Sequence, residues 1–251
     1  MARVFVVREV ALGRDVVVKV LPPELGAGLN IGRFRREIQL AARLQHPHIV
    51  PLLFAGSKDD LLYYAMPRVE GETLRARLQR SGELTVAETV RILHDVADAI
   101  DYAHRQGVVH RDIKPENILL SGNHAVVTDF GIAKAVSAAH DETGMTSAGI
   151  AIGTPTYMSP EQALGKDLDQ RSDLFALGLI FYELLTGKMP YKADSVVASL
   201  LKRTQERAAP VSSHEASIPS ALSSIVSKCL ETEVKLRYQS SAEILADLNA
   251  W

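Results

Sequence analysis

The chain has 251 residues, enough for one large domain or two joined lobes, with 28 Lys and Arg against 30 Asp and Glu. A formal net charge of −2 excludes a strongly basic nucleic-acid-binding protein, and no apolar run is long enough to span a bilayer. The single cysteine, Cys229, excludes an internal disulfide and a cysteine-based zinc cluster. We therefore expect a cytoplasmic protein with no nucleic-acid partner and no membrane segment in this chain.

The first quarter of the chain has the pattern of short strands with one helix between them. Helical spacing over 32–45 places Phe34, Ile38 and Ala41 on one face. The segments that predict strands lie at 3–7, 15–21, 50–56 and 61–66. The first two of these flank a short turn, so they are predicted to form a hairpin.

The remainder of the chain has mostly helical patterns. Thr85 and Glu88 form a Thr-x-x-Glu capping box before a long amphipathic helix that ends at Gly107. The apolar run from Leu174 to Leu185 predicts a buried helix, and a last helix is predicted near 240–250. A strand-rich start followed by helices predicts an α+β fold with two lobes.

The polar residues that carry chemistry fall into four clusters. The first combines Lys19 on a predicted strand with Glu37 on the predicted helix. The others are His-Arg-Asp-Ile-Lys-Pro-Glu-Asn at 110–117, Asp-Phe-Gly at 129–131 and Ser-Pro-Glu at 159–161.

In this order and at these spacings, the clusters resemble the motifs of the eukaryotic-type serine/threonine protein kinases that also occur in bacteria. The resemblance covers essentially the whole chain. It implies a β-rich N-lobe over 1–66, a hinge at 67–71 and a helical C-lobe over 72–251, with ATP in the cleft between the lobes. It also implies transfer of the γ-phosphate of ATP to Ser and Thr hydroxyls of protein substrates, with Mg²⁺ or Mn²⁺.

The resemblance gives the cofactor-binding residues specific roles. Lys19 would bind the α- and β-phosphates, and Glu37 would hold its flexible stem. Asn117 and Asp129 would be the two metal ligands, since both offer the hard oxygen atoms that Mg²⁺ prefers.

The resemblance likewise assigns the residues around the transferred phosphate. Asp112 would accept the proton of the acceptor hydroxyl, and Lys114 would steady the γ-phosphate. Thr154 would hydrogen-bond to both and help to seat the acceptor. His110 and Phe130 are expected to be packing residues.

The predicted adenine pocket is apolar. Val4 and Val17 would form its roof, and Leu119 its floor. Met66 would be the gatekeeper, and residues 67–69 would form the hinge. Pro67 has no N–H, so the hinge bonds to adenine would use its carbonyl and the amide of Val69.

Arg111 precedes the expected base, an arrangement that in this family accompanies phosphorylation of the activation loop. Residues 135–155 have no periodicity and are predicted to form that loop. Thr146 is the predicted main phosphorylation site, with Thr143 and Ser147 as further sites. Two structural roles are also implied, an ion pair between Glu161 and Arg237 and a role for Asp173 at the start of the buried helix.

One departure from the family concerns the glycine-rich loop and the first strand, which relatives carry before the segment that matches Val4. No glycine precedes Gly13 here. We therefore expect weaker ATP binding, because backbone amides of that loop cover the phosphates. We also expect an exposed sheet edge that favours self-association through the N-lobe.

The departure leaves a second function open, a catalytically weak pseudokinase or nucleotide-binding regulatory module. A third is a small-molecule kinase of the antibiotic-phosphotransferase type. Lys114, Thr154 and the segment 159–161 disfavour it, because in the resembled family they serve a cleft for protein substrates.

Overall fold

The computed structural model of the chain describes residues 2–21, 31–58, 61–130 and 155–251. Its strands in these ranges are β1 (Arg3–Glu9), β2 (Arg14–Val20), β3 (Phe54–Lys58), β4 (Leu61–Pro67), β5 (Glu72–Thr73), β6 (Ile118–Ser121) and β7 (His124–Val127). Its helices there are α1 (Ile31–Ala41), α2 (Leu74–Ser81), α3 (Val86–Arg105), α4 (Pro160–Ala163), α5 (Arg171–Thr186), α6 (Val196–Gln205), α7 (Ser220–Cys229) and α8 (Ser241–Ala250). The strands β1 to β4 with α1 form a small lobe, and the elements from β5 onward form a large helical lobe. This confirms the predicted two-lobed α+β fold.

The small lobe is built on an antiparallel sheet with the strand order β1-β2-β4-β3, in which β1 and β2 form the predicted hairpin. Val4 lies opposite Lys19, Lys19 opposite Tyr64, and Val17 opposite Met66. Directly opposed residues of an antiparallel pair point to the same face, and the face alternates along each strand. Val4, Val17, Lys19, Tyr64 and Met66 therefore share one face of the sheet.

The helix α1 ends earlier than predicted. Arg43 and Leu44 donate to carbonyls three residues back, so the chain after Ala41 tightens into a turn instead of continuing the α-helix to residue 45. Ile38 and Ala41 are buried, as their spacing predicted. The side chain of Phe34 lies outside the described part of the structure.

The strand predicted over 50–56 is displaced, because the first residues of this segment pair with the large lobe. Val50 N donates to Val127 O at 2.9 Å, and Val127 N donates to His48 O at 2.9 Å. Pro51 has no N–H and cannot extend a ladder. The strand β3 therefore begins only at Phe54.

The helix α3 forms the centre of the large lobe. Its buried apolar face carries Leu93, Ala97, Ile100 and Ala103. At its start, the Thr85 hydroxyl accepts a hydrogen bond from Glu88 N at 3.2 Å. The carboxylate of Glu88 binds Arg77 at 3.1 Å, so the structure gives only half of the predicted capping box.

The helix α5 is buried on almost all sides, as its continuous apolar run predicted. It packs tightly on α7, because a Cβ atom added at Gly178 would lie 2.6 Å from the Cβ of Cys229. Cys229 is fully buried, and burial raises the pKa of its thiol to about 12. Among the helices in the described ranges, none has the length and hydropathy needed to cross a membrane.

Candidate active site

Three of the predicted residues form one hydrogen-bonded group in the segment before β6. Lys114 Nζ donates to Asp112 Oδ2 at 2.6 Å. Asn117 Nδ2 donates to Asp112 O at 2.8 Å and to Asp112 Oδ2 at 3.3 Å. The turn Pro115–Asn117 places Asn117 back against Asp112, and its proline needs no N–H at the first helical position.

Asp173, the third residue of α5, anchors the backbone just before this group. Its carboxylate accepts hydrogen bonds from His110 N at 2.8 Å, from Arg111 N at 2.7 Å and from His104 Nε2 at 2.8 Å. Burial opposes its charge, but these hydrogen bonds and the nearby histidines hold the pKa of Asp173 below its usual value. Asp173 therefore has the structural role that was predicted for it.

Two residues of the site have positive φ angles without being glycine, Arg111 at 69° and Asp129 at 70°. Such backbone costs about 1–3 kcal/mol and persists only where surrounding contacts enforce it. For Arg111 the enforcing contact is the hydrogen bond that its backbone N–H donates to Asp173 Oδ1 at 2.7 Å. Strain of this kind is typical of functional sites.

Asp129 lies two residues after β7 and is brought next to Asn117 by the backbone. Thr128 N donates to Asn117 O at 2.9 Å, and His110 Nε2–H donates to Thr128 O at 2.9 Å. The other ring nitrogen of His110 accepts from Asp112 N at 3.3 Å, and its ring packs edge-on against Phe130. His110 and Phe130 are thus packing residues, as predicted.

Both oxygens of the Asp129 carboxylate have partners from the small lobe. Lys19 Nζ donates to Oδ2 at 2.5 Å, and Tyr64 Oη donates to Oδ1 at 2.8 Å. Burial, and then the charges of Asp129 and Asp112, raise the pKa of the Tyr64 phenol. The phenol therefore stays protonated and remains a donor at neutral pH.

The structure brings most of the predicted adenine pocket together. Val17, Val69 and Leu119 pack against the cluster that contains the buried Met66, and Thr128 Oγ1 donates to Met66 Sδ at 3.1 Å. Val4 shares the sheet face with Val17 but is 57% exposed. The cluster joins residues of both lobes, so it lies across the cleft.

The remaining predicted residues lie at the edge of this geometry or outside it. Glu37 is half-buried on α1, and its pairing with Lys19 stays a prediction. Thr154 and the predicted phosphorylation sites Thr143, Thr146 and Ser147 lie outside the described residues.

The buried ion pair predicted between Glu161 and Arg237 is confirmed. Arg237 Nη1 lies 2.8 Å from Glu161 Oε1, and Nη2 lies 3.2 Å from Oε2. Ser172 Oγ adds a third hydrogen bond to Glu161 at 2.7 Å. This group fixes α4, which follows the segment containing Thr154.

Sequence reasoning missed two residues that contact the site or its flanks. Tyr64 lies two positions before Met66, so strand alternation alone would have placed it on the same face as Lys19.

Arg203 of α6 is the second of these residues. It is buried, and its guanidinium donates to the backbone carbonyls of residues 155, 156 and 158 at 3.0, 2.7 and 2.6 Å. Burial lowers the pKa of Arg203 to about 10. In the sequence, Arg203 is an ordinary charged residue of an amphipathic helix, and nothing in the pattern indicates that its side chain is buried.

Comparison with known proteins assigns the family. A family model described as Protein kinase domain matches residues 1–247. The chain is 40% identical over 254 residues to serine/threonine-protein kinase PknB of Mycobacterium leprae, which covers 99% of this chain and 40% of that protein. It is 38% identical over 239 residues to probable serine/threonine-protein kinase CPE1738 of Clostridium perfringens, which covers 94% of this chain and 34% of that protein.

The chain therefore belongs to the protein kinase domain family, as its motifs indicated. It spans about two fifths of the length of its mycobacterial relative.

Proposed function

We propose that this chain is the catalytic domain of a protein kinase that transfers the γ-phosphate of ATP to Ser and Thr hydroxyls of protein substrates. One observation carries the proposal. The hydrogen-bonded group of Asp112, Lys114 and Asn117 is joined through Thr128 to the carboxylate of Asp129, which is paired with Lys19. One carboxylate, two ammonium groups and two groups with metal-binding oxygens are thus linked by hydrogen bonds and one ion pair.

Asp112 has the environment that a proton acceptor needs. Its side chain is 43% exposed, so an acceptor hydroxyl can reach it from solvent. The ammonium of Lys114 donates to Oδ2 at 2.6 Å and fixes the orientation of the carboxylate. The same ammonium would face the phosphate as it is transferred and offset its negative charge.

The donor set at Asn117 and Asp129 fits a hard divalent cation, and we propose Mg²⁺ or Mn²⁺. Asn117 Nδ2 is directed at Asp112, so Oδ1 is the atom of this amide that can serve a metal. Asp129 offers a carboxylate, the ligand that such ions prefer. When bound with ATP, the metal neutralises charge on the phosphates. Lys19 and the pocket of Val17, Met66, Val69 and Leu119 would bind the nucleotide.

Several finer expectations remain predictions. They are phosphorylation of Thr146, Thr143 or Ser147 with Arg111 as the phosphate partner, a role for Thr154 in seating the acceptor, and a cytoplasmic location without a nucleic-acid partner. Self-association through the small lobe also stays a prediction. In the described part of that lobe, β1 is an edge strand that exposes Phe5.

The test is transfer of radiolabelled phosphate from ATP to the chain itself and to a generic basic protein. Asp112→Asn keeps the shape of the residue but removes the proton acceptor, so we expect a loss of about 10²–10⁴-fold in rate. Asp167→Asn, at an exposed position, is the matched control and should keep full activity. Undiminished transfer by Asp112→Asn would refute the assigned base, and a wild-type chain without any transfer would favour the pseudokinase.

A further inference from the structure

Three side chains, one from the loop after α1 and two from the large lobe, converge on one point away from the residues assigned to phosphoryl transfer. His48 belongs to the loop after α1, Asp95 lies on α3, and His124 begins β7. One ligand atom from each of the three lies within 4.8 Å of the other two. Two imidazoles and one carboxylate are a donor set that binds divalent transition metals in many proteins.

The separations between these atoms are longer than those of hydrogen bonds. His48 Nε2 lies 3.5 Å from Asp95 Oδ1, and His124 Nδ1 lies 3.5 Å from Asp95 Oδ2. Nitrogen and oxygen atoms joined by a hydrogen bond lie about 2.7–3.2 Å apart. Ligands at 2.0–2.1 Å from a tetrahedral metal lie about 3.3 Å apart. Each imidazole faces a different oxygen of Asp95, and the three ligand atoms together lie within 4.8 Å, so a shared ion would draw them closer than they lie here.

The tautomer of the His48 ring follows from the partner of its Nδ1 atom. His48 Nδ1 lies 2.9 Å from Ala125 O. A carbonyl oxygen can only accept, so Nδ1 carries the proton, and in the neutral ring Nε2 presents a lone pair to the carboxylate of Asp95. Two acceptors facing each other repel, and a cation between them removes the repulsion. A ring N–H donated to a backbone carbonyl is also the usual support of a metal-binding histidine.

Backbone hydrogen bonds fix the frame of this cluster. Ala125 N donates to Asp95 Oδ2 at 2.9 Å, which orients the carboxylate. Val127 N donates to His48 O at 2.9 Å, which holds the loop along β7. Asp95 is buried, whereas the side chain of His124 is 69% exposed. The cluster is thus prearranged on one side and open to solvent on the other, where an ion and a water ligand can enter.

We propose that His48, Asp95 and His124 form a binding site for a divalent transition metal of the Zn²⁺, Co²⁺ or Ni²⁺ type. Imidazole nitrogens favour these ions over Mg²⁺, so the ion that serves phosphoryl transfer does not compete for this site. A bound ion joins the loop after α1 to α3 and β7. Because the ligands converge only in the folded chain, the ion stabilises the fold by an amount that grows with the logarithm of its affinity.

The experiment is a titration of the tag-free protein with Zn²⁺ and with Co²⁺, in excess Mg²⁺ and without nucleotide. We expect one equivalent of Zn²⁺ to bind, measured by competition with a chromogenic chelator, and one equivalent of Co²⁺ to give visible absorption bands. His124→Gln should weaken binding by at least about tenfold, and the double variant His48→Gln/His124→Gln should abolish the Co²⁺ bands. The exposed His214 gives the matched control, since His214→Gln should leave both signals unchanged.

Because His124 is exposed, its variant should fold normally, which thermal unfolding without metal will verify. Equal Zn²⁺ affinity for wild type and the double variant would overturn the proposal. If the two imidazoles serve only as ion-pair partners of Asp95, no metal will bind, and the proposal is wrong. The readouts do not depend on kinase activity, so they hold whatever the outcome of the phosphotransfer assay.

Discussion

The carboxylate of Asp129 is shared between two side chains of the small lobe, with Lys19 on one oxygen and the Tyr64 phenol on the other. In the proposed function Lys19 turns to the phosphates of ATP, whereas Tyr64 has no such second task. Burial and two nearby carboxylates raise the pKa of its phenol, so it remains a donor across the neutral pH range. We infer that Tyr64 is a positioning residue that holds Asp129 in orientation for the metal.

Tyr64→Phe removes this hydrogen bond and keeps the buried ring. A hydrogen bond to a charged group contributes about 1.5–3 kcal/mol, so we expect the Mg²⁺ concentration for half-maximal activity to rise about tenfold or more. The measurement is a Mg²⁺ titration of phosphotransfer at saturating ATP, with the melting temperature recorded in parallel. Tyr63→Phe, at the neighbouring half-buried position, is the control. An unchanged Mg²⁺ requirement in Tyr64→Phe would mean that the phenol only packs.

At the scale of elements, the ion pair between Glu161 and Arg237 joins α4 to the turn before α8 and is buried from solvent. Burial alone would raise the pKa of Glu161, but the Arg237 guanidinium and the Ser172 hydroxyl outweigh it and lower that pKa. A lowered folded-state pKa means that the unfolded chain binds the proton more readily. This stabilisation is therefore present above the ordinary value of 4.5 and is lost as pH falls through the lowered one.

Glu161→Gln should destabilise the fold by about 3–5 kcal/mol at neutral pH, because it leaves the Arg237 charge buried without a counter-ion. Its free energy of unfolding should also depend less on pH than that of the wild type below about pH 4.5. Urea unfolding across this pH range measures both effects. Glu206→Gln, which breaks the exposed pair with Lys202, should cost no more than about 1 kcal/mol. Equal losses in the two variants would contradict the structural role of the buried pair.

The elements that sequence alone predicted well are those whose pattern is local. The long periodic helix α3 and the continuous apolar run of α5 needed no knowledge of their neighbours. Tertiary contacts decided one strand boundary and one helix cap that were predicted wrongly. Val50 pairs with β7 instead of beginning β3, and Glu88 binds Arg77 instead of completing the capping box. Neither partner is visible in a local window.

The same distinction applies to the candidate site. The order of the motifs picked out Lys19, Asp112, Asn117 and Asp129, because phosphoryl transfer requires these residue types at characteristic spacings. Arg203 had no comparable signal, since its partners are backbone carbonyls of a segment more than forty residues away. Contacts made with the backbone of a distant segment leave no residue pattern to read.

At the scale of the whole molecule, the ion pair between Lys19 and Asp129 connects the two lobes across the cleft. Both side chains are largely shielded, with 17% and 13% exposed. The apolar cluster around Met66, which includes Val69 and Leu119 after the end of β4, closes the cleft beside them. Before nucleotide binds, Lys19 and Asp129 neutralise each other; with ATP and Mg²⁺ present, a phosphate and the metal would take over these two roles.

Lys19→Met tests the charge of this lysine separately from its packing, because it keeps the apolar stem in the cleft and removes the charge. A ligand that binds only the folded chain stabilises it by RT ln(1 + [L]/Kd), about 2.7 kcal/mol at one hundred times Kd. We expect ATP with Mg²⁺ to raise the melting temperature of the wild type and to raise that of Lys19→Met much less. Lys58→Met removes an exposed lysine of the same sheet and should keep the full shift. If Lys19→Met gains as much from nucleotide as the control does, the ion pair only holds the lobes together, and Lys19 does not bind phosphate.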